Sequence, residues 1–236
     1  MLPSLLKQYE VEWEKHLHNI PLCSESPTNP LLLDVPSAYL QAECRVMIFG
    51  QETNDWEKRF PHNDGVRHIL NSYKNFYLEN LCYSYGGQFF NGVSQLKRAL
   101  TDRLSRSYNS IEFLWNNVVK IGRMEKKGTP SETVLEWEDN WFDVVRFEVQ
   151  VLKPDIVIFF SGPNYDKFLR RIFNDISFTN VNQRDQRQLA YIKSENLPKN
   201  TIRTYHPNYL WRRGFYNYLS EIVDAIDNRK LLSKGL

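Results

Sequence analysis

The sequence predicts an α/β fold: a three-layer helix–sheet–helix sandwich around a central four-stranded, mainly parallel sheet. Two observations support this prediction. Four short and strongly apolar segments each end in polar or glycine residues, and amphipathic stretches with helical spacing separate them. Apolar runs this short are typical of strands buried on both faces. Strands that alternate with helices favour right-handed crossovers between parallel strands.

The first 40 residues are predicted to form an N-terminal extension. Residues 4–20 carry apolar side chains close to helical spacing, which indicates an amphipathic helix. The segment from Pro21 to Pro36 contains four prolines and is predicted to be a loop. A chain of 236 residues suits one domain, so we expect residues 1–236 to fold as a single unit.

The elements of the predicted sandwich follow in chain order. The predicted strands are residues 45–49, 111–115, 155–160 and 201–205. The predicted helices are residues 65–81, 92–105, 131–152, 164–175 and 212–228, because each has periodic apolar positions and a charged face. Residues 178–196 are predicted to add a strand or a hairpin.

Composition narrows the class of protein. The formal net charge is only +2, so any surface that binds a polyanion has to be a local patch. The three cysteines form no CxxC pair, which is typical of a reducing compartment. No signal-peptide pattern and no run of about 20 apolar residues is present, so we expect a cytoplasmic protein without a membrane segment. Aromatic residues make up 14% of the chain and are interpreted either as core or as surfaces that stack on a base.

Polar side chains follow each of the four predicted strands. In an open parallel sheet, ligands bind beyond the carboxyl ends of the strands. Glu52, Asn117 and His206 are therefore expected to converge. A carboxylate can position or deprotonate water, a carboxamide can read a base edge, and an imidazole can donate to developing negative charge. Each residue also has a structural interpretation, as a helix-capping acid, a turn former and a loop residue.

These segments resemble the uracil-DNA glycosylase superfamily. Arg45–Glu52 is similar to the strand and the Gly-Gln-Asp or Gly-Glu opening of that family. Asn117–Lys120 resembles the strand with the base-reading asparagine, especially its Asn-Val-Val-Lys version. Tyr205–Leu210 resembles the His-Pro-Ser loop, and Arg213–Phe215 continues the likeness. The segment Asp155–Gly162 matches the third core strand in style, and the motifs occur in the family's order between about residues 40 and 228.

The resemblance implies a base-excising DNA glycosylase that uses water as nucleophile and needs no metal or cofactor. Its partner would be single- or double-stranded DNA, with no membrane and no obligate protein partner. The implied residues are catalytic Glu52 and His206; base-binding Gln51, Asn117, and Phe89 or Phe90; and a DNA-binding rim of Tyr209, Leu210, Trp211, Arg212 and Arg213. Lys120, Arg123, Lys126 and Lys127 would extend the phosphate-binding rim or remain solvated surface charges.

The sequence also departs from the family pattern. Thr53-Asn54 follows Glu52 where many members have proline, which leaves Asp55 as an alternative acid. Asn208 stands where serine is usual, and three cysteines are too few for the four-cysteine cluster of the iron–sulfur members. Two other functions stay open: a non-catalytic nucleic-acid or nucleotide-binding module on the same fold, and a small-molecule hydrolase. The absence of a Gly-x-Ser-x-Gly motif and of a phosphate loop weakens the hydrolase.

Overall fold

A mixed six-stranded sheet forms the centre of the molecule. The computed structural model describes the backbone of residues 2–233 and the side chains of residues 2–227. The strand order is β2-β1-β3-β6-β5-β4. The strands are β1 (Cys44–Gly50), β2 (Ile111–Asn117), β3 (Ile156–Phe159), β4 (Ser177–Asn180), β5 (Leu189–Lys193) and β6 (Asn200–Thr204).

The α/β class is confirmed, but the prediction of a four-stranded sheet is wrong. The four predicted strands are present as a parallel unit, in which β1 pairs with β2 and β3, and β3 pairs with β6. The two additional strands are antiparallel and come from the segment predicted as a strand or hairpin. Strand β5 continues the sheet from the edge of β6, and its Leu189, Ala190 and Ile192 are buried. The mostly exposed β4 then becomes the edge strand.

Helices cover both faces of the sheet. They are α1 (Pro3–His18), α2 (Ser37–Gln41), α3 (Gly65–Tyr73), α4 (Gln88–Leu104), α5 (Glu132–Trp141), α6 (Val145–Leu152), α7 (Asp166–Ile172), α8 (Pro207–Trp211) and α9 (Phe215–Ser233). The prediction of one helix over 131–152 is wrong. The backbone leaves helical geometry at Phe142, whose side chain is buried at 1% exposure, and a new helix begins at Val145.

The alternation of side chains along β1 divides the core into two halves. Met47 and Phe49 pack into a cluster that also contains residues of α1, α3, α5 and α6. Val46 and Ile48 pack into a second cluster, with residues of α4 and α9. Successive strand residues point to opposite faces, so a strand covered on both faces must be apolar throughout. This explains why the strand segments were recognisable from composition alone.

The proline-rich segment packs into the body of the molecule. Leu31, Leu32 and Leu33 are each fully buried. The backbone N–H of Leu31 donates to the carbonyl of Lys120 at 2.9 Å, and that of Thr28 donates to the carbonyl of Gly122 at 3.0 Å. This segment therefore supports the loop that follows β2.

Within residues 2–233, no helix is both long enough and apolar enough to cross a bilayer. The predicted single domain 1–236 includes Met1 and residues 234–236, which lie outside the described residues.

Candidate functional site

The register of the parallel strands brings the predicted site residues to one edge of the sheet. Gly50 at the end of β1 pairs with Asn117 at the end of β2. On the other side of β1, Phe49 pairs with Phe159 of β3. Phe159 in turn pairs with Arg203 of β6, three residues before His206. The segments that begin at Gln51, Val118, Phe160 and Tyr205 therefore leave the sheet side by side.

Asn117 is the most buried polar residue of the predicted site, with 2% of its surface exposed. Its Oδ1 accepts a hydrogen bond from the indole Nε1–H of Trp115 at 3.2 Å. Its Nδ2 is buried and has no hydrogen-bond partner among the described residues. A buried donor without a partner is unfavourable by about 1–3 kcal/mol, so a hydrogen-bond acceptor supplied by a ligand would be stabilising at this position.

Gly50 allows the asparagine to approach the neighbouring strand. A Cβ atom at Gly50 would lie 2.4 Å from Asn117 Oδ1 and 3.0 Å from Phe89 Cζ. Any side chain at this position would therefore displace both residues. Because Gly50 has no side chain, Asn117 and Phe89 can both approach the backbone at this position.

Phe89 and Phe90 have different surroundings. The Phe89 ring is half-buried and stacks on the His206 ring, with 5.4 Å between centroids and 22° between planes. Phe90 is 8% exposed and packs in the core against Trp115 and Phe76. Of the two predicted stacking residues, the structure brings only Phe89 to the site.

His206 is held as a neutral imidazole with a defined tautomer. Burial lowers the pKa of His206 from 6.5 to about 4. Its Nδ1 accepts a hydrogen bond from the backbone N–H of Asn208 at 3.2 Å, so it caps the N-terminus of α8. In a neutral imidazole with Nδ1 as acceptor, the proton lies on Nε2. His206 can therefore donate one hydrogen bond from Nε2 at neutral pH.

Glu52 is half-buried and is contacted by a residue that sequence reasoning missed. The hydroxyl of Tyr165 donates a hydrogen bond to Glu52 Oε2 and lies 3.2 Å from Thr129 Oγ1. Burial raises the pKa of the Glu52 carboxyl, and the bond from Tyr165 opposes that rise. Tyr165 lies in the short 3-10 turn Pro163–Tyr165 after β3. Its only sequence signal was its place after the third predicted strand.

The other candidates near the first motif have structural partners. Gln51 Nε2 donates to the carbonyl of Ser161 at 2.7 Å and so ties the end of β1 to the end of β3. Asp55, the alternative acid, is exposed, and its Oδ1 accepts from the backbone N–H of Glu125 at 2.6 Å. Of the two acids, Glu52 is the one that is half-buried.

Part of the predicted DNA-binding rim is exposed. Arg212 and Arg213 are exposed, and their guanidinium groups lie 5.9 and 5.6 Å from the ring centroid of Tyr209. Leu210 is 1% exposed and belongs to the core, because it faces inward from α8. The structure therefore does not place Leu210 in the rim. Trp211 is half-buried and stacks on Phe215 with 4.2 Å between centroids.

Lys120 does not lie on a phosphate-binding rim. Its side chain is fully buried, with Nζ 2.8 Å from Glu148 Oε1 and 2.5 Å from Asn116 Oδ1. Glu148 also accepts from the Tyr9 hydroxyl at 2.5 Å and from Asn116 Nδ2 at 2.8 Å. Asn116 Oδ1 accepts the backbone N–H of Asn117 at 2.8 Å. The lysine thus anchors a buried polar network that supports the base of the site.

One group of side chains has the composition of a metal site. Among the side chains of residues 2–227, ligand atoms of His62, Asp64 and His68 lie within 4.8 Å of one another. The two imidazoles are stacked, with 3.6 Å between centroids and 3° between planes. The lone pair of an imidazole nitrogen lies in the plane of its ring, so the lone pairs of two parallel rings do not converge on one point. One ring would have to rotate before both could bind one ion. His68 Nε2 already lies 2.7 Å from Glu57 Oε2.

Comparison with known proteins gives a match at the level of a family model. The model of the uracil DNA glycosylase superfamily matches residues 37–227 of the chain. That span is more than half of the 236 residues and contains every element of the site described above. A comparison with curated proteins found no match. The family resemblance carried by the short sequence motifs is thereby confirmed.

Proposed function

The chain belongs to the uracil DNA glycosylase superfamily, and we propose that it is a DNA N-glycosylase. In this proposal it hydrolyses the bond between a flipped, uracil-like base and the deoxyribose C1′ atom. Base flipping is required because a base stacked in a duplex cannot reach a cleft at the end of a sheet. The products would be the free base and an abasic site.

The observation that carries the proposal is the set of groups around Gly50. Asn117, whose buried Nδ2 has no partner among the described residues, and Phe89 both lie beside Gly50, and the neutral imidazole of His206 stacks on Phe89. A planar base with a polar edge has the chemistry to satisfy all three, by accepting from Asn117, stacking beside Phe89 and accepting from His206. Stacking on an aromatic ring contributes about 1–3 kcal/mol per base.

The proposed reaction uses one carboxylate and one imidazole. Glu52, in its ionised form, orients a water molecule and accepts a proton from it as the oxygen attacks C1′. The C1′–N bond breaks, and its electron pair leaves with the base. His206 Nε2–H donates a hydrogen bond to the base carbonyl oxygen on which negative charge develops. The proton from water finally neutralises the base, so no external reactant other than water is consumed.

DNA would be held through its phosphates by Arg212 and Arg213. Both guanidinium groups are exposed beside Tyr209. Each phosphate contact releases counterions, so the logarithm of affinity falls with the logarithm of salt concentration with a slope of about −0.9 per contact. Changing both arginines to glutamine should make that slope shallower by about 1.8. An unchanged slope would remove these residues from the interface.

A non-catalytic base-binding protein is the second candidate, and one observation favours it. One oxygen of Glu52 already accepts a hydrogen bond from Tyr165, so only part of the carboxylate remains to engage water. In this alternative Asn117 and Phe89 would still bind a base, and the abasic site would never form.

The experiment that separates the two candidates compares wild type with Glu52→Gln and His206→Ala. Single-turnover excision is followed on labelled oligonucleotides that contain uracil, other deaminated bases or thymine mismatches. We expect the chemical step to slow by about 10²–10⁴-fold in each variant, with DNA affinity changed far less. Excision that is equally fast in Glu52→Gln would remove this acid from the mechanism. DNA binding without excision of any base by wild type would favour the binding protein.

A further inference from the structure

We propose that Trp115 is a specificity-determining residue that acts by positioning Asn117. In this inference, which rests on the proposed function, its indole N–H fixes the orientation of the Asn117 carboxamide. The site then accepts bases that present a carbonyl oxygen to Asn117 and rejects bases that present an amino group there.

The orientation of the carboxamide follows from hydrogen-bond chemistry. The indole N–H is a donor only, so the group that faces it at 3.2 Å must be the amide oxygen. Residues 115 and 117 are two apart on β2, so their side chains emerge on the same face of the sheet. Both side chains are buried, with 5% of Trp115 and 2% of Asn117 exposed, so water does not compete for the bond.

A flipped carboxamide would be unfavourable at this position. Rotation by 180° would place the Asn117 amino group against the indole N–H, which is another donor. The Oδ1 position is also closely confined, since a Cβ on Gly50 would come within 2.4 Å of it. The backbone N–H of Asn117 is itself held by Asn116 Oδ1 at 2.8 Å, which limits movement of the residue as a whole.

Substrate class follows from the remaining amide atom. With Oδ1 facing Trp115, Nδ2 points away from the indole and is buried, with no acceptor in the described part of the chain. A base carbonyl, such as the 4-oxo group of uracil, satisfies this donor. The 4-amino group of cytosine would place two donors against each other. Leaving a buried donor unpaired corresponds to a loss of about 10–100-fold in affinity.

The test measures binding of free uracil and free cytosine by isothermal titration calorimetry, so it does not depend on catalysis. Trp115→Phe removes the indole N–H. Trp56→Phe is the matched control, because Trp56 is 8% exposed, lies 5.9 Å from Trp115 between ring centroids, and has an indole nitrogen without a partner among the described residues. A third protein carries 3-benzothienyl-alanine at position 115, which keeps the ring shape and replaces N–H by sulfur.

We expect wild type and Trp56→Phe to prefer uracil by at least about tenfold, and both proteins changed at position 115 to lose most of that preference. The benzothienyl protein keeps the test valid if Trp115→Phe does not fold. The inference is overturned if the preference survives removal of the N–H, or if wild type binds both bases equally or binds neither. Selective uracil binding by a wild type that excises nothing would support the inference while contradicting the proposed glycosylase.

Discussion

Replacement of Lys120 by methionine should destabilise the protein strongly. The Lys120 ammonium and the Glu148 carboxylate are both fully buried and lie 2.8 Å apart. Breaking a buried ion pair by removing one partner typically costs about 3–5 kcal/mol, because the other charge stays buried without compensation. Glu148 keeps its hydrogen bonds from Tyr9 and Asn116, which favours the lower end of that range.

The expected loss in the free energy of unfolding can be measured by urea denaturation at neutral pH, and the matching shift in Tm by thermal denaturation. For a chain of this size, 1 kcal/mol lowers Tm by about 2–4 °C, so a loss of 3–5 kcal/mol corresponds to about 6–20 °C. The matched control is Lys126→Met, because Lys126 is exposed on the loop after β2. The double variant Lys120→Met with Glu148→Gln removes both charges and should recover much of the loss.

A phosphate contact at Lys120 would give a different result. If Lys120 were a phosphate contact, Lys120→Met would keep the stability of wild type, weaken DNA binding and make its salt slope shallower by about 0.9. A destabilisation equal to that of Lys126→Met would show that the buried network contributes nothing measurable to the fold.

Three further predictions concern single side chains. Tyr165→Phe removes the donor that lowers the pKa of the Glu52 carboxyl, so the acid limb of the kcat/KM profile should move to higher pH; an unmoved limb would show that this bond does not affect catalysis. Burial lowers the pKa of His16 from 6.5 to about 3, so the unfolded chain binds a proton that the folded protein does not, and stability should fall as pH drops below about 6.5. His16→Leu should remove the contribution of His16 to the pH dependence of the free energy of unfolding, which is ~1.4 kcal/mol per pH unit in that range. Urea midpoints of wild type and variant that change with pH in parallel would contradict this. A Cβ at Gly92 would lie 2.6 Å from Pro207 Cβ, so Gly92→Ala should slow excision more than it weakens DNA binding, whereas unchanged excision would show that the turn adapts.

The sequence predicted the parallel part of the fold because its strands are buried on both faces. An apolar run such as residues 45–49 is unfavourable on the surface, so the sequence directly predicts a buried strand there. The antiparallel strand β4 is mostly exposed and carries no comparable apolar signal. The sequence does not predict the break at Phe142, because apolar residues continue through it; in the structure Phe142 leaves helical geometry and its side chain is buried.

For the candidate site, sequence reasoning found residues at strand ends but not their orientation. Glu52, Asn117 and His206 were predicted because residues that follow parallel strands meet at one edge of the sheet. A pattern of charges does not show whether a lysine faces water or an internal carboxylate. The sequence therefore predicts Lys120 on the surface, although it is buried beside Glu148. Tyr165 and Trp115 were missed as site residues because their contacts with Glu52 and Asn117 depend on three-dimensional packing.

The proposed glycosylase activity is tested most directly by the release of free uracil from a duplex that contains a single uracil opposite guanine. Excess wild-type protein is incubated with the duplex, and free base and alkali-labile abasic sites are quantified together, with Asn117→Ala as the comparison. Wild type should release one equivalent of uracil per abasic site, and Asn117→Ala should release far less. A wild type that binds the duplex and releases no base, or an Asn117→Ala variant as active as wild type, would contradict the proposed site.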